Sequence, residues 1–112
     1  MPESRALSHW LPVVLWAGVI FAFSSIPSLS TGLGLWDLVL RKAAHGTEYA
    51  VLGLLLVRAL VRAVPAVGVG VAYAISDEVH QAFVRGRHAS PVDVAVDTLG
   101  LVAGVLVWRQ TR

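Results

Sequence analysis

The sequence predicts an all-α membrane protein built as a single bundle of four transmembrane helices, and three observations support this prediction. Of its 112 residues, 56% are hydrophobic and only 14% are charged, whereas roughly 25% of the residues in a soluble domain are charged. The mean hydropathy is +0.71. The apolar residues form four segments of about 17 to 24 residues, each long enough to cross a hydrocarbon core about 30 Å thick. The chain is therefore expected to be a multi-pass protein of a cell membrane.

The first two segments are residues 9–25 and 38–61. The first could also be the apolar region of a signal peptide. We interpret it as an uncleaved span because Ser24-Ser25-Ile26-Pro27 offers no clear small-x-small cleavage site and further apolar segments follow. A Ser-, Thr- and Gly-rich stretch separates the two segments, and Arg58 and Arg62 close the second.

The other two segments are residues 64–83 and 91–108. Pro65 suits the first turn of the third helix, and Pro91 suits the first position of the fourth, after Ser90 as its predicted N-cap. Gly100 and Gly104 have the G-x-x-x-G spacing that lets helices approach closely. This spacing favours helix packing within the chain, with dimerisation as the other reading.

Acidic side chains in the apolar segments indicate a functional site. Because an ionisable group costs several kcal/mol inside a membrane, such residues are candidates for function. If successive helices alternate in direction, these groups all lie in one half of the membrane, and spacings of three or four residues place them on common helix faces. Five of the seven carboxylates lie in or beside these segments: Glu48, Asp77, Glu78, Asp93 and Asp97.

Three kinds of chemistry are compatible with this cluster. His45 and Glu48, with the acids of the third segment, could bind a divalent cation, or His45 could only hydrogen-bond a carboxylate. Asp93 and Asp97 are spaced to share a proton, as general acid–base catalysis requires. No nucleophile is evident beyond Ser90, so the sequence leaves open whether the protein is an enzyme, and which cofactor or metal it uses.

The polar loop before the fourth helix predicts an anion site. A phosphate there would meet the guanidinium of Arg87, the free N–H groups at the helix start and the positive end of its dipole. Lys42 could join it from the second helix. The alternative is structural, a salt bridge from Arg87 to Asp93 or Asp97.

Charge and cysteine content exclude other classes of protein. The nine Lys and Arg residues are scattered among apolar stretches, which argues against nucleic-acid binding, and without cysteine there are no disulfides or thiolate metal sites. The oligomeric state is not predicted. With cytoplasmic termini, five basic residues lie inside (Arg5, Arg58, Arg62, Arg109, Arg112) and four outside (Arg41, Lys42, Arg85, Arg87). This is a small excess in favour of that orientation.

Three polar motifs run through the apolar segments. They are Ser24-Ser25-x-Pro27, Lys42-x-x-His45-x-x-Glu48-Tyr49-x-x-Leu52-Gly53, and Asp77-Glu78-x-His80-Gln81-x-Phe83-x-x-Gly86-Arg87-x-x-Ser90-x-x-Asp93-x-x-x-Asp97-x-x-Gly100. Together they resemble the VanZ-like family of small bacterial membrane proteins over about residues 24–104. Gly46 and Arg85 depart from the family, whose members often have a bulky residue and a proline at these places, so Arg87 is the arginine expected to function.

The resemblance implies a role in the cell envelope and in resistance to the glycopeptide antibiotic teicoplanin. The expected partner is an anionic membrane lipid or a lipid-linked cell-wall intermediate, which the protein binds or modifies. The alternatives are a small proton-coupled transporter subunit and a non-catalytic accessory protein. The candidate catalytic residues are His45, Glu48, Asp77, Glu78, Asp93 and Asp97, and the candidate substrate-binding residues are Lys42, Tyr49, Gln81, Arg87 and Ser90.

Overall fold

A computed structural model describes residues 2–25, 35–84 and 91–111. These residues form four α-helices and no strand: α1 (Pro2–Ser24), α2 (Leu35–Leu60), α3 (Ala63–Ala82) and α4 (Pro91–Gln110). The prediction of an all-α protein is therefore confirmed. Helices α2 to α4 begin and end within three residues of their predicted bounds, whereas α1 begins seven residues earlier than predicted.

Within the described part of the chain, two helices are long and apolar enough to cross a membrane, through Ala6–Ser24 of α1 and Pro91–Gln110 of α4. By composition alone, helices α2 and α3 are less apolar than a membrane span requires because they carry most of the polar residues of the predicted site. Length and composition thus support two spanning helices where the sequence analysis predicts four. The outward-facing side of α1 is apolar as well, with Leu15, Phe21 and Phe23 all more than half exposed, as is typical of a helix in contact with lipid.

The helices alternate in direction, as the sequence analysis assumes. Contacts between Ser8 and Arg58 join the first turns of α1 to the last turns of α2, while Ser24 and Gln81 join the last turns of α1 and α3. We call the end where α1 and α3 finish the polar end, and the end where α2 and α4 finish the basic end. Helix α2 packs against the other three helices, whereas α1 and α4 are not in contact among the described residues.

Glycines bring α2 and α4 into backbone contact. A Cβ atom added to Gly104 would come closer than 3.0 Å to the backbone of Ala50, and one added to Gly100 would come as close to the carbonyl oxygen of Gly46. Both glycines of the G-x-x-x-G motif therefore face α2, which confirms the prediction of helix packing within the chain. The parallel α2–α4 pair is the most closely packed part of the bundle.

The apolar core lies around α2, the central helix. Its members come from all four helices and are at most 7% exposed: Val13, Ile20, Tyr49, Leu52, Leu56, Val57, Ala66, Ala74, Leu101 and Val105. Tyr49 is the only one with a hydroxyl group, and it lies where this core adjoins the buried polar residues. The core thus supports the polar site from the side of the basic end.

A proline in α1 is matched by an arginine from α2. Pro12 lies inside α1 and has no N–H, so the carbonyl of Ser8 loses its intrahelical partner. The guanidinium of Arg58 donates a hydrogen bond to this carbonyl at 3.2 Å. The contact satisfies a backbone group that the proline exposes, and it also attaches α1 to α2 near the basic end.

The turn between α2 and α3 holds a strained residue, which gives a first prediction. Val61 has a φ of 71°, a left-handed conformation that costs a non-glycine residue about 1–2 kcal/mol. Its side chain is 81% exposed, so little contact is lost on removing it. We expect Val61→Gly to raise the free energy of unfolding in detergent by about 1 kcal/mol, measured by thermal or denaturant unfolding.

The control for this prediction is Val64→Gly, also an exposed valine (84%), but within the first turn of α3. There the same substitution should destabilise the protein by up to about 1 kcal/mol because glycine is a poor helix former. A loss of stability in both variants would contradict the assignment of strain to Val61.

Candidate functional site

Buried polar side chains from all four helices meet toward the polar end. Most are less than 10% exposed, including two carboxyl groups that the bundle almost completely encloses: Asp77 at 3% and Asp97 at 0%. Burial of this kind is rare unless the groups are paired or have a function. We call these residues the polar cluster: Ser24 of α1, His45 and Tyr49 of α2, Asp77, Glu78 and Gln81 of α3, and Asp97 of α4.

His45 and Asp97 form the link between α2 and α4. The Nδ1 atom of His45 lies 3.2 Å from Oδ1 of Asp97, and the histidine side chain is 13% exposed. When Nδ1–H donates to the carboxylate, Nε2 of the neutral ring is left as a proton acceptor. This is the arrangement by which a carboxylate fixes the tautomer of a catalytic histidine.

Tyr49 and Asp77 form the corresponding link between α2 and α3. The tyrosine hydroxyl donates to Oδ2 of Asp77 at 3.2 Å. Because Tyr49 is 0% exposed, it reaches a ligand only through Asp77. Its place in the structure is that of a positioning residue for the carboxylate, while the sequence analysis proposes it as a ligand contact.

Buried aspartate oxygens of the polar cluster have unmet hydrogen-bonding capacity. Oδ1 of Asp77 and Oδ2 of Asp97 are buried and accept no hydrogen bond within the described part of the chain. The two aspartates also interact electrostatically with each other across the α3–α4 contact. An unsatisfied buried acceptor costs about 1–3 kcal/mol or more, so these atoms suit a partner that brings a hydrogen-bond donor.

Lys42 and Asp93 form a second α2–α4 pair, one turn closer to the polar end. The ammonium of Lys42 donates to Oδ1 of Asp93 in an ion pair, with the side chains 30% and 16% exposed. Lys42 is therefore already engaged by an acid, although the sequence analysis proposes it as an anion ligand. Arg87 and Ser90, the other predicted anion ligands, lie outside the described residues.

The two glutamates of the predicted site, Glu48 and Glu78, differ in burial and in position along their helices. Glu78 is buried at 6% exposure on α3. Glu48 is half-buried and lies thirteen residues after Leu35 and twelve before Leu60, at the middle of α2. Because α2 begins three residues before its predicted start, Glu48 lies nearer the middle of its helix than the sequence predicts.

Helix α1 contributes residues that the sequence analysis did not assign to the site. The amide of Gln81 donates to Oγ of Ser24 at 3.3 Å, and both groups are buried. Nearer the centre of the bundle, the indole N–H of Trp16 donates to the carbonyl of Glu48 at 2.8 Å. The only sequence signal for Ser24 is its place in the Ser-Ser-x-Pro motif, where serine also suits a helix end.

His80 packs against α1. Its position in the sequence, beside Gln81 near the end of the third apolar segment, predicts instead a side chain that faces solvent or lipid headgroups. Its ring stacks on Phe21 with centroids 4.3 Å apart, and Nε2 lies 2.9 Å from Oγ of Ser25. Ser25 donates its single hydroxyl proton to the carbonyl of Phe21 at 2.8 Å, so Nε2–H of His80 is the donor to Oγ. The pair therefore ties α3 to α1 and does not form a nucleophile and its base.

No group of three or more His, Asp or Glu residues in the described ranges is arranged to hold a metal ion. Within the part of the chain that the structure describes, the polar cluster contains three hydrogen-bonded pairs. His45–Asp97 and Tyr49–Asp77 connect α2 to α4 and α3, and Gln81–Ser24 connects α3 to α1.

The fold and the polar cluster define a small α-helical membrane protein with a buried acid–histidine site. The chain belongs to the VanZ/LLP1 family, whose family model matches residues 9–112. This confirms the resemblance found in the sequence motifs. No curated protein matches the chain, and no solved structure matches it.

Proposed function

We propose that this VanZ/LLP1 protein crosses the cell membrane four times, with cytoplasmic termini, and binds an anionic lipid or lipid-linked cell-wall intermediate at its polar cluster. The polar end then lies in the outer half of the bilayer, where lipid-linked cell-wall intermediates are used. Through this ligand the protein would act in the cell envelope and contribute to resistance to teicoplanin.

The unmet acceptors of Asp77 and Asp97 are the observation that carries this proposal. A cluster whose role was only to hold helices together would gain most stability by satisfying every buried oxygen, yet one oxygen of each aspartate accepts no hydrogen bond among the described residues. A hydroxyl, amide or ammonium group of a ligand supplies the missing donor. Headgroups that carry sugars or amino acids provide such donors.

We assign the binding of the negatively charged group of the ligand to the loop between α3 and α4. Arg87 can hold a phosphate with two parallel hydrogen bonds, and it lies in sequence between Gln81 on α3 and Asp93 on α4. The proposed ligand therefore carries two kinds of polar group. Its phosphate binds Arg87, and its hydrogen-bond donors bind Asp77 and Asp97. If the protein also modifies the ligand, His45 oriented by Asp97 is the group that would accept a proton through Nε2.

A proton relay is the second candidate function, and the same oxygens favour it. A buried carboxyl group that carries a proton needs no external donor. Two hydrogen-bonded pairs of titratable groups, His45–Asp97 and Tyr49–Asp77, could pass such a proton. In proteoliposomes a transporter would produce a proton flux that Asp97→Asn abolishes. A binding protein would produce none, which separates the two candidates.

Arg87→Lys tests the proposed binding site. Lysine keeps the positive charge but loses the bidentate fork, so the affinity for a phosphorylated polyprenyl lipid in detergent should fall by about tenfold, as should teicoplanin resistance in a susceptible bacterial host. The melting temperature should remain unchanged. Binding is measured by calorimetric titration, with thermal unfolding of the same samples.

Arg85→Lys is the matched control because it makes the same change in the same loop. Its affinity should match that of the wild type. The proposal fails if Arg87→Lys binds the lipid as wild type does, or if binding and stability are lost together, since Arg87 would then be a structural tie.

A further inference from the structure

A recess lies at the basic end, at the opposite end of the bundle from the polar cluster. It has a volume of about 260 Å³ and is lined by Val57, Arg58, Val61, Trp108 and Arg109. Pockets for small molecules are typically about 300–1,000 Å³, so this recess fits a headgroup and not a whole lipid. Its walls combine two guanidinium groups with an indole and two aliphatic side chains.

The charged side chains that the structure describes around this recess are basic. Arg62 lies at the start of α3, next to the turn that contributes Val61 to the recess. The carboxylates whose side chains the structure describes all lie at mid-helix or toward the polar end: Glu48, Asp77, Glu78, Asp93 and Asp97. No described acid therefore competes for Arg58 and Arg109.

The recess also lies at the depth of a membrane interface. Trp108 and Arg109 are in the last turn of α4, at the end of a segment long and apolar enough to cross the bilayer. Tryptophan is enriched at this level, and arginine there meets lipid headgroups. Excess arginine marks the cytoplasmic side, whose leaflet is rich in anionic lipids.

Arg58 is fixed in place before any ligand binds. One of its five N–H groups donates to the carbonyl that Pro12 leaves without a partner, at 3.2 Å. Holding a long side chain in position lowers the entropy lost on binding. The guanidinium of Arg58 is thus an anchored wall of the recess, and the exposed Arg109 is its second cation.

We propose that this recess binds the phosphate of an anionic phospholipid headgroup of the inner leaflet, with Arg58 and Arg109 as the phosphate ligands and Trp108 against the glycerol. This site is separate from the polar cluster and does not depend on the ligand proposed there, whereas its assignment to the inner leaflet rests on the proposed orientation with cytoplasmic termini. It holds the basic end of the bundle at the cytoplasmic surface.

Binding of short-chain phosphatidylglycerol to the full chain in neutral detergent tests the site, by calorimetric titration. Arg109→Gln should weaken the affinity by about tenfold, the effect of losing one charge-assisted contact with phosphate. Arg62→Gln is the matched control, since it removes the same charge from the same end but outside the recess, and it should change the affinity less than about threefold. Short-chain phosphatidylcholine should bind more weakly than phosphatidylglycerol by a factor of about ten or more.

Four results would overturn the proposal. Equal losses in Arg109→Gln and Arg62→Gln would mean unspecific attraction to a basic surface. Glycerol phosphate binding as tightly as phosphatidylglycerol would assign the recess to a soluble phosphate ester. Unchanged affinity in both Arg109→Gln and Arg109→Lys would exclude Arg109 as a ligand. A loss of affinity for phosphatidylglycerol caused by Arg87→Lys, which should leave the protein folded, would instead place the lipid at the anion site proposed beside the polar cluster, so the two sites are distinguished.

Discussion

Gly104→Ala is expected to destabilise the protein by about 3 kcal/mol, or to prevent folding, although it adds a single methyl group. That methyl would lie closer than 3.0 Å to backbone atoms of Ala50. Backbone cannot move aside as a flexible side chain does, so α2 and α4 must separate along their contact. The free energy of unfolding in detergent, or the yield of folded monomer, measures the effect.

Gly68→Ala is the control because a Cβ atom there would meet no atom within 4 Å. Alanine at this exposed helical position should leave stability unchanged or raise it by up to about 1 kcal/mol. The same glycine-to-alanine substitution should therefore change the free energy of unfolding in opposite directions at the two positions. Equal stability of Gly104→Ala and Gly68→Ala would contradict the close α2–α4 packing.

His45→Ala is expected to cost about 3 kcal/mol of stability because it removes the donor to a buried carboxylate. Asp97 is 0% exposed, and its other oxygen already accepts no hydrogen bond from the described residues. Removing one partner of a buried pair typically costs more than removing both. The double variant His45→Ala, Asp97→Ala should accordingly recover part of the stability lost in His45→Ala.

The Lys42–Asp93 pair is the comparison for this experiment, since it joins the same two helices one turn away. Lys42 is 30% exposed at its side chain, so Lys42→Met should cost about 1 kcal/mol or less. Five proteins would be compared by denaturant unfolding in detergent: the wild type, His45→Ala, Asp97→Ala, the double variant and Lys42→Met. A double variant that loses the sum of the two single losses would show that His45 and Asp97 do not interact.

Much of the fold follows from the length of the apolar segments. Three of the four helices begin and end close to their predicted bounds, because Pro65, Pro91 and the arginines near residue 60 mark these ends. The start of α1 was missed because Glu3 and Arg5 suggest a polar tail before the apolar run, and charged residues are good helix formers outside a membrane. Segment length also suggests four spans, whereas the polar residues on α2 and α3 leave two clearly apolar helices.

The candidate site was predicted as a group of residues but not as a set of partners. Spacing within a helix shows that Asp93 and Asp97 share a face, and both contact α2. The pairing of Tyr49 with Asp77 depends on the relative rotation and depth of two helices, which spacing within each helix does not determine. For the same reason, the sequence does not distinguish Ser24 from an ordinary serine at the end of a helix.

The parallel packing of α2 and α4 has a consequence for biosynthesis. When successive helices alternate in direction, two parallel neighbours are separated in the chain by a third helix. Helix α2 can therefore pack against α4 only after α3 and then α4 have been synthesised. At about 5–20 residues per second, Lys42 and His45 remain without Asp93 and Asp97 for some seconds after α2 is complete. The acid–histidine pair is thus assembled last, and a chain that ends before α4 would expose Lys42 and His45 to cellular quality control.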